Sequence, residues 1–375
     1  MKPKRTLALL LGAALLLTAL SACGATVVVV EGGGNAGTPT GAPDPAGEPG
    51  PTQEPEPTQE PDGQPGGETT AVKTGLAVLP SLSASASASG EGDGAAQADI
   101  LLVAVTVDDD GVIDSCIIDS IQAKIGFNAQ GALTTPLDTT FATKLELGDD
   151  YGMRAASPIG KEWNEQANTL AGYVAGKTVD ELKGIALDDS GHAVDEPDLT
   201  ASVTIGISDL LEGVEAAVAN AAHLGASKGD KLGLAAETNM ASSKDASSEE
   251  EGLAQAYATF AVTTTGGGVI TSCLIDALQA NVSFDTAGQI TTDLASVPKT
   301  KNQLGDDYGM VAASSIGKEW YEQAAGFCQY VTGKSADDVA GLAVNGEGKA
   351  ADADLAAAVT LSLGDFQAVV EKAAK

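Results

Sequence analysis

The chain has 375 residues, with 20 Lys+Arg against 52 Asp+Glu and a formal net charge of −32. So acidic a chain offers no basic face to a phosphate backbone, which excludes nucleic acid as a partner and disfavours adsorption to anionic lipid headgroups. The excess charge favours solubility and repulsion at a crowded surface.

The first element is an export signal. Lys2, Lys4 and Arg5 precede an uninterrupted apolar and small-residue run over 6–20, too short and too soon followed by polar sequence for a spanning helix. Leu20, Ser21, Ala22 and Cys23 close the run. They resemble the lipobox of bacterial lipoproteins. The resemblance implies removal of residues 1–22, lipidation of Cys23, and a lipid-anchored position on the extracytoplasmic face of a bacterial cell membrane. Several acyl chains on one cysteine anchor stably where a single chain holds weakly.

Residues 24–72 carry nine of the 15 prolines and eight acidic residues, with no Lys or Arg. Such a stretch cannot bury a core, so 23–72 reads as the lipidated cysteine followed by a disordered, partly polyproline tether. At ~3.1 Å per residue it reaches on the order of 150 Å.

Beyond the tether the sequence repeats. Residues 147–167 recur at 304–324 with 18 of 21 positions identical, an offset of 157. Shorter matches extend the correspondence on both sides, such as Lys73 to Ala77 with Lys231 to Ala235, and Asp198-Leu199 with Asp354-Leu355. The chain therefore holds two tandem copies of one domain, 73–220 and 231–375, joined by a short polar linker at 221–230. Each is long enough for its own hydrophobic core.

Within a copy the pattern is mixed. Residues 100–107 and 113–119 are β-rich and joined through Asp108, Asp109, Asp110 and Gly111, a hairpin by its turn residues. A helix is expected from an N-cap at Ser157 and Pro158 in the first turn, with Ile159, Trp163, Ala167, Leu170 and Val174 on one face and Gly176 ending it. Ile316, Trp320, Ala324, Phe327, Val331 and Gly333 are the equivalents. Thr178 and Glu181 form a capping-box pattern for a second, short helix. Leu199, Ala201, Val203, Ile205 and Ile207 alternate as a strand does, and Ser208 or Asp209 opens a closing helix to about Ala222. The expected class is α+β: in each domain a mainly antiparallel sheet with packed helices.

Chemistry-bearing residues are few. Cys116 and Cys273 share one strand position, while the first copy has Ala171 where Cys328 stands; a Cys273–Cys328 bridge is conceivable, but Cys116 has no second cysteine in its own copy, and free buried thiols are expected. No cysteine pair has zinc-ligand spacing, and His192 and His223 lack counterparts, so no metal site is expected. The paired carboxylates Asp149/Asp150 and Asp306/Asp307, beside Tyr151 and Tyr308, suit a cation, a hydroxyl-rich ligand or a solvent-facing turn. Trp163 and Trp320 suit a flat ligand or a helical core face. No acid, base or nucleophile set common to both copies stands out, which points to a carrier or binding protein rather than an enzyme.

The order of glycine-rich opening, hairpin, Asp-led segment and last helix resembles the FMN-binding domain family of bacterial electron-transfer flavoproteins and surface lipoproteins. That family carries an Asp-x-x-Ser-Gly-Ala-Thr motif whose threonine receives FMN through a phosphoester bond made by a flavin transferase. The matching stretches are Asp198 to Thr204 and Asp354 to Thr360. The resemblance implies Thr204 and Thr360 as attachment residues, Ser202 beside the phosphate, FMN as cofactor, and a membrane reductase or extracellular electron acceptor as partner. Ser202 and Ala358 stand where the family has glycine, and Val203 and Val359 where it has alanine. Read by their own residues, Thr204 and Thr360 also suit an ordinary strand ladder. The alternative function is a non-catalytic surface lipoprotein that binds another ligand or protein without flavin.

Overall fold

The computed structural model describes residues 70–90 and 92–375. The export signal, Cys23 and nearly all of the expected tether lie outside the described residues. The first repeat runs β1 (Lys73–Ser81), β2 (Gly94–Val107), β3 (Ile113–Phe127), α1 (Lys144–Leu147), α2 (Trp163–Val174), α3 (Val179–Lys183), α4 (Pro197–Thr200) and α5 (Ser208–Ala219). The second runs β4 (Lys231–Asn239), β5 (Gly252–Gly266), β6 (Val269–Phe284), α6 (Lys301–Leu304), α7 (Trp320–Val331), α8 (Ala336–Ala340), α9 (Ala353–Ala358) and α10 (Gly364–Ala374). Each repeat holds one antiparallel three-stranded sheet, ordered β1-β2-β3 and β4-β5-β6, so the α+β class is as expected.

Strand periodicity assigns the two faces of each sheet. Ile100, Leu102 and Ala104 of β2 point one way, with Ile121, Ile125 and Phe127 of β3; Val103, Val105 and Val107 point the other way. The second set packs under α2 and α5. The first set packs against Phe260, Val262, Leu278 and Phe284 of the other repeat. The two sheets thus bury one face against each other and cover the other with helices, in four layers. At the centre Phe127 and Phe284 stack, ring centroids 4.2 Å apart and 4° from parallel.

Loops lock the pair reciprocally. Ala88 N–H donates to the Gly288 carbonyl (2.8 Å) and Ala246 N–H to that of Gly131 (2.7 Å). Gly131 and Gly288 have φ of 70° and 67°, and a Cβ on either would lie under 3 Å from the other repeat's Ala246 or Ala88, so only glycine suits both the turn and the approach.

Two local expectations are corrected. Ser157 and Pro158 lie in a turn, and α2 starts at Trp163. Its N-cap is Glu162, in a capping box with Glu165. The segment from Leu199 to Ile207 is not a strand: Pro197 at the first turn opens the short α4, and an irregular loop follows. Thr204 and Thr360 are therefore not ladder residues. The apolar face of α2, the Thr178 capping box and the closing helix α5 are found as read, with Gly176 at φ 84° just past the end of α2.

Candidate functional site

The recurring block folds around two buried polar side chains. Glu162 is 1% exposed and accepts the backbone N–H groups of Met153 (2.8 Å) and Arg154 (2.6 Å). Glu319 does the same for Met310 and Val311, each 2.9 Å. Gln166 is fully buried; its Nε2 donates to Ser157 Oγ (3.3 Å) and the Lys161 carbonyl (3.2 Å). Its Oε1 accepts from Thr204 N–H (2.7 Å), Thr204 Oγ1 (3.3 Å) and Ile205 N–H (3.2 Å). Gln323 repeats this, with Thr360 N–H at 2.8 Å and Thr360 Oγ1 at 3.2 Å. Much of the identity between the copies is thereby a set of buried acceptors holding loops.

The same loops bring aromatic rings onto a lysine. Asp119 of β3 accepts the N–H groups of Ser120 (2.7 Å) and Leu145 (3.0 Å), which fixes α1 on the sheet edge. The Lys144 ammonium then lies over the rings of Tyr151 (4.8 Å) and Trp163 (4.9 Å). In the second copy Asp276 holds Asn302 N–H (3.0 Å), and Lys301 lies over Tyr308 and Trp320, both at 4.8 Å, and over Tyr257 at 4.9 Å. Burial pushes the Asp119 and Asp276 carboxyls up to about 6 and pulls the Lys301 amine down to about 8.

The two lysine sites differ at one strand position. In the second copy Tyr257 fills the space, accepting from Lys301 Nζ at 3.2 Å and leaving that lysine 6% exposed. Asp99 takes the place of Tyr257 in the first copy, and a cavity of about 290 Å³ opens beside Lys144. Its lining includes Leu101 and Leu210; Asp99, Asp209 and Glu212 contribute three carboxylates against one ammonium. Such a concave, partly apolar site with an excess of two negative charges is suited to a cationic group.

The residues singled out in the sequence fall elsewhere. Asp149 and Asp306 are exposed in short 3-10 helices, Gly148–Tyr151 and Gly305–Tyr308, where Asp149 pairs with Arg154 (2.6 Å) and Asp306 accepts from Tyr321 OH (3.2 Å). Trp163 and Trp320 are core residues, 6% and 3% exposed. His192 and His223 are exposed partners of Asp188 and Asp109. Cys116, Cys273 and Cys328 are free; burial pushes the Cys116 thiol up to about 12 and that of Cys273 well above its ordinary value. Ser202 is half-buried, its N–H donated to the Leu199 carbonyl (3.0 Å).

A phosphoester-linked FMN needs a free threonine hydroxyl and backbone N–H groups turned toward phosphate. At Thr204 the hydroxyl, its own N–H and the next N–H all donate to Gln166. The glycine that would let phosphate approach is absent from both copies. The residues of this loop do not fit the group.

Sequence reading missed Lys144/Lys301, Asp119/Asp276, Asp99 and Asp209. The available signal was the alignment of the copies: Thr143-Lys144 and Thr300-Lys301 both stand just ahead of the recurring block.

No family model matches the chain, and no solved structure matches it. Over 41 residues, 11% of this chain, it is 54% identical to a chlorophenol reductase of Desulfitobacterium hafniense, and the match spans 12% of that protein.

Proposed function

We propose that this chain is a non-catalytic binding protein, lipid-anchored through Cys23 on the extracytoplasmic face of a bacterial membrane, whose first repeat captures a small amine-bearing cation. The observation that carries the reading is the opening of the Lys144 cavity by Asp99 where Tyr257 plugs its counterpart. The acidic surface of the whole chain adds long-range attraction for cations. The second repeat serves as the structural partner that buries the first repeat's sheet.

Titration calorimetry of the mature chain with cadaverine tests this. Binding is expected, weakened about tenfold or more in Asp99→Tyr, the plug of the second copy. Equal binding by both proteins sinks the assignment to this cavity. Co-expression with a flavin transferase gives the opposing reading its test: an FMN-sized mass increase lost in Thr204→Ala/Thr360→Ala would establish a flavin carrier instead. Membrane retention of the full-length chain, released by Cys23→Ser, checks the anchor.

A further inference from the structure

The two repeats meet along two seams related by the internal pseudo-twofold, and the seams are not alike. Where the edge of β4 faces the first repeat, the seam is sealed. Phe141 N–H donates to Thr238 Oγ1 (2.6 Å), which donates back to the Phe141 carbonyl (3.0 Å). Lys372 of α10 spans the same gap: its ammonium donates to the Ala236 carbonyl (2.8 Å) and pairs with Glu237 (3.0 Å) and Glu146.

Every one of these contacts is missing from the other seam by substitution. Pro80 and Pro298 stand for Thr238 and Phe141, Ala216 for Lys372, Leu79 for Glu237 and Gln303 for Glu146. The counterpart of Ala236 is Val78. Thr74 exchanges hydrogen bonds with Ala222 across the outer edge of β1, and Asn220 Nδ2 donates to the Leu76 carbonyl (3.0 Å) on the same edge. Strand alternation then turns the Val78 N–H and C=O outward as well, on the side of Leu76 away from the linker, which runs past Thr74 to Val72. A trough follows this edge. Cavities of about 360 and 550 Å³ share Val78 and Gln303, and the second shares Leu79, Pro80 and Glu212 with the Lys144 cavity.

We propose that this open seam is a docking groove for an extended peptide segment, which pairs with β1 at Val78 and places a basic side chain in the Lys144 cavity. The inference rests on the cation-binding reading above and gives its ligand a class. The free wall is a strand edge, whose natural complement is another backbone, and the acidic end selects a Lys or Arg residue. Because Leu76 already gives its carbonyl to Asn220, a segment lying along the trough pairs with β1 at the one outward-turned residue Val78, itself 7% exposed. Pro80 offers no N–H, which confines the pairing to the neighbourhood of Val78 and hinders a second copy from zipping along the edge.

The test uses the mature chain, the probe Ac-Lys-Thr-Val-Thr-Val-Leu-NH2, its Glu-for-Lys counterpart, and cadaverine. The variant Ala216→Lys/Gln303→Glu rebuilds the clamp of the sealed seam, and neither residue lines the Lys144 cavity. Expected are binding of the Lys peptide with a shift of the Val78 amide resonance, at least about tenfold weaker binding of the Glu peptide, and a similar loss in the sealed variant. Cadaverine binding should persist in that variant, which also reports that it is folded. Cadaverine binding without peptide binding overturns the groove and leaves the cation site standing, as does peptide binding unchanged by the seal. Self-association of the chain through the seam likewise overturns it. Failure of both probes removes the cation site and the groove together.

Discussion

The buried carboxyls Asp119 and Asp276 set a pH dependence that can be read in advance. Burial raises both from 3.8 to about 6, so the protonated form is favoured by folding. Their contribution is fully stabilising below about pH 4 and is lost as pH rises through about 6, each ionised carboxyl costing on the order of 3 kcal/mol at neutral pH. Asp119→Asn keeps the acceptor for Leu145 N–H without the charge. It is expected to stabilise the chain by ~1–2 kcal/mol at pH 7.5 and to flatten its stability profile between pH 4 and 7 in denaturant titrations. Gln166 behaves oppositely. Gln166→Leu strands the Thr204 and Ile205 N–H groups and should cost about 2–3 kcal/mol, with faster amide exchange at those two residues. Exchange unchanged at Thr204 would contradict the role given to the glutamine.

Among the elements, α2 has an acid for its N-cap, and that acid also holds the loop carrying Tyr151. Glu162→Ala should therefore cost more than an ordinary cap, about 2–4 kcal/mol in thermal unfolding, and Glu319→Ala the same in the second repeat. A loss no larger than ~1 kcal/mol would mean that the loop is held by other contacts. This double role also explains why the start of the helix was misplaced from sequence: Ser157-Pro158 has the usual signature, while a Glu N-cap has a weak one. The helix face was legible because Trp163, Ala167, Leu170 and Val174 follow one period. The segment 199–207 misled because Leu199, Val203 and Ile207, spaced by four, are its buried residues, while the intervening Ala201 is exposed and Ile205 half-buried. An alternating apolar pattern was present, but its burial does not alternate. The lysine site was illegible because its parts, from β1, β2, β3, α1, α2 and α5, converge only through tertiary packing.

For the whole molecule the decisive surface is the face shared by the two sheets. Each repeat alone would expose Phe127 or Phe284 and the aliphatic side chains around it, far beyond the apolar patch a monomer carries in water. A fragment of residues 70–222 is therefore expected to dimerise or precipitate, and sedimentation showing a stable folded monomer would count against the shared core. In the intact chain Phe127→Ala should cost about 3–5 kcal/mol, because its stacked partner is left facing a void. The tandem arrangement was plain from the recurring block. That the copies bury each other was not, since an inward-facing strand pattern names a core without saying which neighbour fills it.

The ring of Tyr257 carries one consequence for how such a molecule counts. Two equal halves suggest two equal sites, yet Tyr257 walls in one lysine and Lys372 clamps one seam, so of each pair a single member stays open. Titrations should accordingly reach one equivalent per chain along a simple hyperbola, with a Hill coefficient of one. A chain built as two like halves would then, on the proposed reading, hold one ligand, and bridging two ligands would take two chains.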